Sequence, residues 1–426
     1  MNSTTSSPGE PLSGRLAPLA ALRYRDFRLL WLGQLVSIAG SQMRIVAVNV
    51  QIYQLAKSGG AIDPALALGL IGLARAVPLV VTALLSGLVA DRADRRMLLL
   101  LTTIGALISS AVLALASGLA SPPLWLIYAM VVFAAVVGAF EMPARQALIP
   151  SLVSPEHLPN ALSLNIIAWQ LATIVGPTLA GILIAWGGVS PVYWIDAASF
   201  VAVVLAIVLM RTRAAPRRSE PVTLHAALEG LRFVFRSPLI ASTMLLDFFA
   251  TFFGAAMTLL PLFADKILHV GPVELGWLYA APSVGAVIAA AAMTSLTIRR
   301  QGPVLLWSVA IFGACTALFG ISRSLPLTLL ALAGTGASDT VSMVIRGTIR
   351  QLMTPDELRG RMTAVNMIFF AGGPQIGEFE SGVAASLIGG PVAVLLGGVL
   401  CVAIVGAMAW RVPDLRRYEG VTSAST

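Results

Sequence analysis

The decapeptide GLVADRADRR, Gly87–Arg96, separates the apolar run Ala65–Ser86 from the apolar run Met97–Ala116. Five of its ten residues are charged, whereas Arg75 is the only charged residue in either run. Helical runs of about 20 residues match the ~30 Å hydrocarbon core of a bilayer. The stretch therefore predicts two membrane-spanning helices joined by a charged turn at the membrane surface.

The composition extends this prediction to the whole chain of 426 residues. Hydrophobic residues make up 57% of it and charged residues 11%, against about 25% charged residues in an ordinary soluble domain. The strands of a membrane β-barrel alternate apolar and polar residues over roughly ten positions, and the sequence has no such alternation. We therefore expect an all-α polytopic membrane protein that has the lipid bilayer as a partner.

Several functional classes have no support in the sequence. The net charge of +8 comes from basic residues scattered along the chain, so we expect no nucleic-acid partner. The cysteines, Cys315 and Cys401, both lie in apolar spans, and no His/Cys metal spacing occurs. Neither lysine, Lys57 or Lys266, follows a glycine as a P-loop requires. We expect a protein that is not an enzyme and has no metal or other cofactor.

Hydropathy places twelve spans, which one long polar segment at 211–238 divides six and six. The predicted spans are 27–56, 65–90, 97–119, 122–149, 160–186, 191–210, 238–264, 273–298, 303–322, 325–352, 360–388 and 391–411. The predicted domains are a tail at 1–26, a first bundle at 27–210, a linker with an amphipathic surface helix at 211–237, a second bundle at 238–411 and a tail at 412–426.

The basic residues set the expected orientation. With the N-terminus inside, the outer loops hold only Lys57, Lys266 and Arg323, while the other loop arginines face inward. The positive-inside rule then places both termini in the cytoplasm.

The two halves also share a short internal repeat. SPEHL at Ser154–Leu158 and TPDEL at Thr354–Leu358 lie 200 residues apart, and each follows the fourth long span of its half. In both, a Ser or Thr at an N-cap position precedes Pro and an acid, the usual opening of a helix. We interpret the repeat as a duplication that gives two parallel halves, a known transporter plan.

The decapeptide resembles the cytoplasmic signature of the major facilitator superfamily between spans two and three. The matching residues are a small residue, an acid and three bases: Gly87, Asp91, Arg92, Arg95 and Arg96. Asp94 stands where that family more often has glycine. By family analogy these residues form a cytoplasmic gate, in which Asp91 meets the start of span eleven near Arg361, where the helix dipole favours an anion.

Longer segments resemble the efflux branch of that superfamily, which includes enterobactin exporters and macrolide efflux proteins. The segments are YRDFRLLWLGQLVSIAG from Tyr24, AVNVQIYQL from Ala47, MPARQALIPSLVSPEHLPNALSLN from Met142, GPTLAGILIAWGG from Gly176, IDAASF from Ile195 and LRGRM from Leu358. The resemblance implies the major facilitator fold, twelve helices in two pseudo-symmetric six-helix bundles, in the bacterial cytoplasmic membrane.

The resemblance also implies a function. We expect a monomeric, proton-driven secondary active exporter of small molecules that works by alternating access, with a siderophore-like anion as the favoured cargo. A multidrug or macrolide antiporter is the alternative. A lipid translocase or a transporter-like sensor is an alternative of another class.

Charged residues inside the spans need a reason, because each costs roughly 2.5–3.5 kcal/mol at the bilayer centre on insertion scales. A carboxylate in a partly dry cavity can load and release a proton, since burial favours its neutral form. The three histidines lie at loops or span ends, so a proton relay has to use carboxylates. The candidates are Asp339, Glu378 and Asp247.

Structural pairing competes with proton coupling for the other charges. Glu141 and Arg145 have the i, i+4 spacing of a helical ion pair, and Asp196 belongs to the IDAASF pattern. Glu380 points away from Glu378 around the helix, so the two acids do not form a dyad.

Two arginines, Arg44 and Arg75, lie near the middle of spans one and two. A guanidinium binds carboxylates, catecholates and phosphates through paired hydrogen bonds, so both are candidates for contact with an anionic cargo. The alternative is that each neutralises an acid of the C-terminal half. Four polar or amphipathic residues are further candidates for the cavity wall: Asn49, Gln51, Trp169 and Gln170.

Overall fold

The computed structural model describes residues 17–60, 62–92, 94–212, 232–296, 298–355 and 358–420, without the side chains at 17–18, 83–92, 359–361, 363–365 and 367–371. These residues are mostly helical, and no strand occurs among them. The long helices are α1 Arg25–Gly59, α2 Pro64–Arg92, α3 Arg95–Ser117, α4 Leu124–Leu148, α5 Leu158–Gly187, α6 Ser190–Leu209, α7 Pro238–Phe253, α8 Pro272–Ser295, α9 Gln301–Ile321, α10 Leu325–Met353, α11 Arg359–Ile388 and α12 Gly390–Arg411.

Eleven segments of the described chain are long and apolar enough to cross a membrane. The remaining long helix, α11, has 30 residues, which is also enough to span a bilayer. The prediction of an all-α polytopic protein with twelve helices is therefore confirmed.

The seventh span differs from the continuous helix expected at 238–264. α7 ends at Phe253, and the chain resumes at Met257 in three short helical pieces that reach Leu268. A side chain on Gly254 would collide with the ring of Phe312 on α9, so the chain passes close to its neighbour where the helix ends. Because every residue around the break is apolar or small, hydropathy alone did not predict it.

The two halves pack in the same way, as the duplication predicts. In the first half α1 contacts α5 and α6, and α3 contacts α4 and α6. Adding six to each number gives the second half, where α7 contacts α11 and α12, and α9 contacts α10 and α12. The two main contacts between the halves, α2 with α11 and α5 with α8, are exchanged by the same operation.

Glycines allow these two contacts between the halves to be close. We call the end of the bundle that holds the start of α1 and the end of α12 the terminal end, and the opposite end the distal end. A Cβ on Gly69 of α2 would lie 2.7 Å from the Cα of Gly382 on α11. A Cβ on Gly181 of α5 would lie 3.1 Å from the Cα of Gly276 on α8. All four glycines lie in the distal part of their helices, so this end of the interface is closed.

The terminal end of the first half is held by polar contacts. Asp26 in the first turn of α1 accepts hydrogen bonds from the backbone N–H groups of Arg211 and Thr212, and from the Thr212 hydroxyl at 2.6 Å. These bonds fix the chain where it leaves α6. The YRDF motif therefore has a structural role in joining α1 to the segment that follows α6.

In the first copy of the repeated pentapeptide, the serine makes a different contact from the N-cap hydrogen bond that we predicted. Ser154 occupies the N-cap position of the short turn Pro155–His157, but its side chain makes no capping hydrogen bond. Its Oγ instead accepts from the Tyr24 hydroxyl at 2.8 Å and lies 3.0 Å from Nδ1 of His157. The corresponding acids of the second copy, 356 and 357, lie outside the described residues.

Candidate functional site

A cavity of about 280 Å³ lies between the two halves. α1, α2, α5, α8 and α11 form its wall, together with the chain that follows the break in the seventh span. Its lining residues are Gln42, Ile45, Val46, Asn49, Arg75, Thr173, Pro177, Met257, Thr258, Tyr279, Pro282, Ser283 and Glu378. The wall thus combines apolar side chains with a few polar groups, as small-molecule sites do.

Arg75 and Glu378 are the charged members of this lining, and they face each other across the interface. Arg75 Nη1 lies 3.7 Å from Glu378 Oε2, and the two side chains are 23% and 16% exposed. This distance exceeds that of a hydrogen bond, and Oε2 has no hydrogen-bond partner among the described residues. Of the alternatives left open for Arg75, the structure therefore favours pairing with an acid of the C-terminal half, at a position that still borders the cavity.

Asn49 joins the two halves at the cavity wall. Its Nδ2 donates to the hydroxyl of Tyr279 at 2.8 Å, which joins α1 of the first half to α8 of the second. Asn49 is 2% exposed, and its Oδ1 has no partner in the described part of the chain.

Further towards the distal end, Asp265 joins the two halves. It accepts hydrogen bonds from the Tyr53 hydroxyl at 2.6 Å and from Lys57 Nζ at 2.7 Å. We call these three residues the distal latch. The distal latch was not predicted from the sequence. A lysine at the distal end of span one and an aspartate at the distal end of span seven could have indicated it.

Arg44 is not part of the cavity lining. Its Nε lies 3.2 Å from Oδ2 of Asp196 on α6, and that carboxylate also accepts a hydrogen bond from Ser110 of α3 at 2.5 Å. Asp196 is fully buried and Arg44 is 15% exposed. This pair joins three helices of the first half, so Arg44 neutralises an acid of its own half, which neither sequence alternative anticipated.

The other polar candidates for the wall also lie outside the lining. Gln51 is buried and accepts a hydrogen bond from the Tyr193 hydroxyl at 2.7 Å within the first half. Trp169 is 42% exposed, and neither it nor Gln170 is among the residues that border the cavity.

Asp247 and Asp339 belong to a second charged cluster, in the C-terminal half. Arg346 of α10 pairs with Asp247 of α7, and its Nη2 lies 3.5 Å from Asp339 Oδ1. Arg346 is 3% exposed, whereas the Asp339 side chain is 47% exposed. Sequence reasoning did not single out Arg346, although it lies seven residues after Asp339 and therefore on the same face of α10.

The equivalent helix of the first half carries a looser pair. Arg145 Nη1 lies 3.9 Å from Glu141 Oε1 on α4, with side chains 15% and 25% exposed. α4 and α10 correspond under the duplication, so both halves place an acid on this helix and an arginine further along it towards the terminal end.

The gate expected around the decapeptide is described only in part. For Gly87, Asp91, Arg92 and Arg361 the structure describes the helical backbone and no side-chain contacts. Arg95 donates to the carbonyl of Ala147 at 3.1 Å, and Arg96 donates to the carbonyl of Val208 at 3.2 Å. These two arginines bind carbonyls near the ends of α4 and α6, within their own half.

Asp94, which has no precedent in the family pattern, is the N-cap residue of α3. Its carboxylate accepts hydrogen bonds from the backbone N–H of Arg96 at 2.9 Å and of Met97 at 3.5 Å. Aspartate and glycine are both accepted at N-cap positions, so the exchange of one for the other fits this place.

Comparisons with known proteins agree with this architecture. The transmembrane secretion effector family model matches residues 16–425. The enterobactin exporter EntS of Shigella boydii serotype 18 is 30% identical over 402 residues, which cover 92% of this chain and 93% of that protein. EntS of Escherichia coli O1:K1 / APEC is 29% identical with the same coverage.

Two solved structures share the fold. The human organic anion transporter MFSD10 (TETRAN) has a TM-score of 0.61 and 17% identity, with 90% of this chain and 99% of that chain covered. A bacterial homologue of the human lysosomal transporter Spinster, in an inward-facing and unoccupied conformation, has a TM-score of 0.70 and 14% identity, with 96% and 100% covered. Because the family model matches nearly the whole length, the chain belongs to the transmembrane secretion effector family of the major facilitator superfamily, a family of multi-pass membrane transporters.

Proposed function

We propose that this protein is a proton-driven secondary active exporter of small molecules that works by alternating access, with a siderophore-like compound as its cargo. The observation that carries the proposal is the Arg75–Glu378 pair, which lies in a cavity between two pseudo-symmetric halves. Transporters with this plan bind cargo near the midplane, between their repeats.

The closed distal end supports alternating access. The glycine crossings of α2 with α11 and of α5 with α8 hold this end together, with the distal latch above the cavity. We propose that cargo enters from the terminal end and that export then requires the distal contacts to break. We propose that the terminal end and both termini face the cytoplasm, as the distribution of basic residues predicts.

The cargo class is proposed from the relatives and the cavity wall. Relatives with about the same length are named enterobactin exporters. The family resemblance implied an anionic cargo, and Arg44 and Arg75 were candidates for contact with it, with pairing to an acid as the alternative. Each has an acid as partner, so the cavity wall carries no net formal charge from its described residues. A hydrophobic drug or macrolide remains the second candidate, because Ile45, Val46 and Met257 give the wall an apolar part.

We propose that carboxylates carry the coupling proton. Glu378 borders the cavity, Asp339 is the exposed acid of the second charged cluster, and Asp247 is held by Arg346 in the same cluster. Of these three acids, Glu378 is the one that borders the described cavity, so we place the proton exchange that responds to cargo at Glu378.

The lipid bilayer is the proposed partner along the outer surface. Tryptophans with large exposed fractions lie near both ends of the bundle, at Trp125 and Trp186 on the distal side and at Trp307 and Trp410 on the terminal side. Tryptophan is enriched at the two membrane–water interfaces, so these positions fit a protein that spans the membrane.

One experiment tests the proposed function. The protein is reconstituted into liposomes, a pH gradient is imposed, and uptake of 2,3-dihydroxybenzamide, a siderophore-like catechol, is measured together with proton flux. We expect uptake against the cargo gradient, proton flux in the opposite direction, and loss of both when the pH gradient is dissipated. Cargo flux that ignores the pH gradient would contradict proton-driven export, and transbilayer movement of labelled phospholipid without catechol flux would favour a lipid translocase.

A further inference from the structure

Three oxygens in the wall of the central cavity have no hydrogen-bond partner among the described residues. They are Asn49 Oδ1 on α1, Thr258 Oγ1 after the break in the seventh span, and Glu378 Oε2 on α11. Asn49 and Thr258 are 2% and 1% exposed. Buried polar atoms are nearly always paired. The Asn49 amide oxygen and the Glu378 carboxylate oxygen only accept hydrogen bonds, and the Thr258 hydroxyl accepts or donates, so these unpaired oxygens favour a ligand that donates hydrogen bonds.

The charges of the cavity favour a neutral ligand. Arg75 and Glu378 balance each other, and the rest of the lining is uncharged. An anion that took Arg75 as its partner would leave the Glu378 carboxylate unpaired in a poorly hydrated site, which is strongly unfavourable. An anion therefore binds Arg75 well only if Glu378 takes up a proton at the same time.

Joint binding of cargo and proton is incompatible with an exporter that is driven by an inward proton gradient. Cargo and proton that bind together move together, so outward export of the cargo would carry protons outward against their gradient. Exchange instead requires that cargo and proton exclude each other. Because linkage is reciprocal, a cargo that weakens proton binding to Glu378 is itself displaced by that proton to the same extent.

A hydrogen-bond donor produces this exclusion. An O–H or N–H group donates to the Glu378 carboxylate only when that carboxylate is ionised, and such charge-assisted bonds are the strong ones. Arg75 of α2 stabilises the ionised form. Within the described lining of the cavity, the other titratable group is Tyr279 of α8, whereas α1 and the broken span contribute the uncharged Asn49 and Thr258.

We propose that the cargo binds as a neutral hydrogen-bond donor, and that one of its O–H or N–H groups takes the place of the transported proton on Glu378. The inference rests on the proposed proton-driven export. When cargo enters, the proton of the Glu378 carboxyl passes to water in the cavity, and no covalent bond of the cargo changes. Asn49 and Thr258 accept further hydrogen bonds from the same ligand.

Titration calorimetry on the full-length protein in nanodiscs tests this. Three probes of similar shape differ in the groups they offer: 2,3-dihydroxybenzamide is neutral and has two hydroxyl donors, 2,3-dimethoxybenzamide lacks those donors, and 2,3-dihydroxybenzoate is an anion. Titrations in phosphate and in Tris, whose ionisation enthalpies differ, give the number of protons exchanged on binding.

We expect the neutral catechol to bind with release of up to one proton, and its affinity to rise with pH by up to tenfold per unit. The dimethoxy probe should bind at least about tenfold more weakly, as should the anion. Glu378→Gln should remove the proton release while the catechol still binds, and Glu380→Gln on the other side of α11 should retain it. The wild-type buffer comparison remains decisive if the Glu378 variant fails to fold.

Three results would overturn the inference: proton uptake on binding, equal affinity for the dimethoxy probe, or tighter binding of the anion. Absence of dihydroxybenzamide binding to folded protein would overturn it as well. If pH-driven export of the anion persists in liposomes, the inference fails while the proposed function stands. If no probe moves in exchange for protons, the proposed function itself fails.

Discussion

Arg75 on α2 and Glu378 on α11 form an ion pair between the two halves of the protein, with 3.7 Å between Nη1 and Oε2. The pair lies beside the glycine crossing of these helices, since a Cβ on Gly72 would lie 2.7 Å from the Cβ of Glu378. Any motion that separates α2 from α11 therefore changes the distance between the two charges. Two residues that border the cavity would therefore respond directly to the movement that the proposed alternating access requires.

Arg44 should act on stability and not on cargo binding. Arg44→Ala leaves the buried Asp196 without its cationic partner, which should lower the free energy of unfolding by about 3–5 kcal/mol. Chemical unfolding in detergent measures this. Arg145→Ala is the matched control, because its partner Glu141 lies 3.9 Å away and is more exposed, and it should cost about 1 kcal/mol or less. If Arg44→Ala has wild-type stability and binds cargo more weakly, Arg44 contacts the cargo and its role is not structural.

Asp94 should stabilise the start of α3 through its N-cap. Asp94→Ala removes the acceptor for two backbone N–H groups and should lower the free energy of unfolding by about 1 kcal/mol. Asp94→Ser and Asp94→Gly should cost less, the glycine variant only a few tenths of a kcal/mol. Denaturant unfolding of the four proteins checks this order. An alanine variant as stable as wild type would remove the capping role.

Gly72 should keep the distal end closed. Gly72→Ala places a methyl group against the backbone of α11, so it should shift the population towards conformations open at the distal end. A cysteine at Thr258, with Cys315 and Cys401 replaced by serine, reports this through labelling by a membrane-impermeant maleimide from the distal side. Gly138→Ala serves as the control, since nothing lies within 4 Å of the added methyl. Equal labelling of the two variants would contradict the close crossing.

The distal latch should also favour the closed distal end. Lys57→Met removes the ion pair with Asp265 while it keeps most of the side-chain length, so the distal loops of the two halves should separate more often. Spin labels at the exposed Leu119 and Arg323 measure that distance by electron–electron double resonance. The neighbouring Lys266→Met should leave the distance distribution unchanged. A latch role is excluded if Lys57→Met gives the wild-type distribution.

The sequence was sufficient to predict the helices because each one is a long apolar run bounded by polar residues. It was not sufficient for the break after Phe253, since Gly254–Ala256 differ little in hydropathy from their surroundings. The sequence was also not sufficient to predict which acid pairs with each arginine. Arg44 meets Asp196 because α1 packs on α6, and Arg346 meets Asp247 through the packing of α10 against α7. These contacts depend on how the helices are arranged, which local patterns do not encode.

Some of the residues that border the cavity could be predicted from their depth in the membrane alone. Glu378 and Arg75 were expected inside the membrane and border the cavity, as does Asn49. Gln51, Trp169 and Gln170 were chosen for polarity and depth alone, and they lie outside the lining because their helices turn those faces elsewhere. Rotation of each helix about its axis was the missing information.

Uphill transport by Glu378→Gln in liposomes tests the central claim most directly. The variant keeps the shape of the side chain but cannot exchange a proton, so we expect exchange of dihydroxybenzamide across the membrane without accumulation against its gradient. Asp339→Asn in parallel reports whether the second charged cluster shares the coupling, and Glu380→Gln should accumulate the probe as wild type does. Accumulation at the wild-type level by Glu378→Gln and Asp339→Asn alike would contradict carboxylate-coupled, proton-driven export.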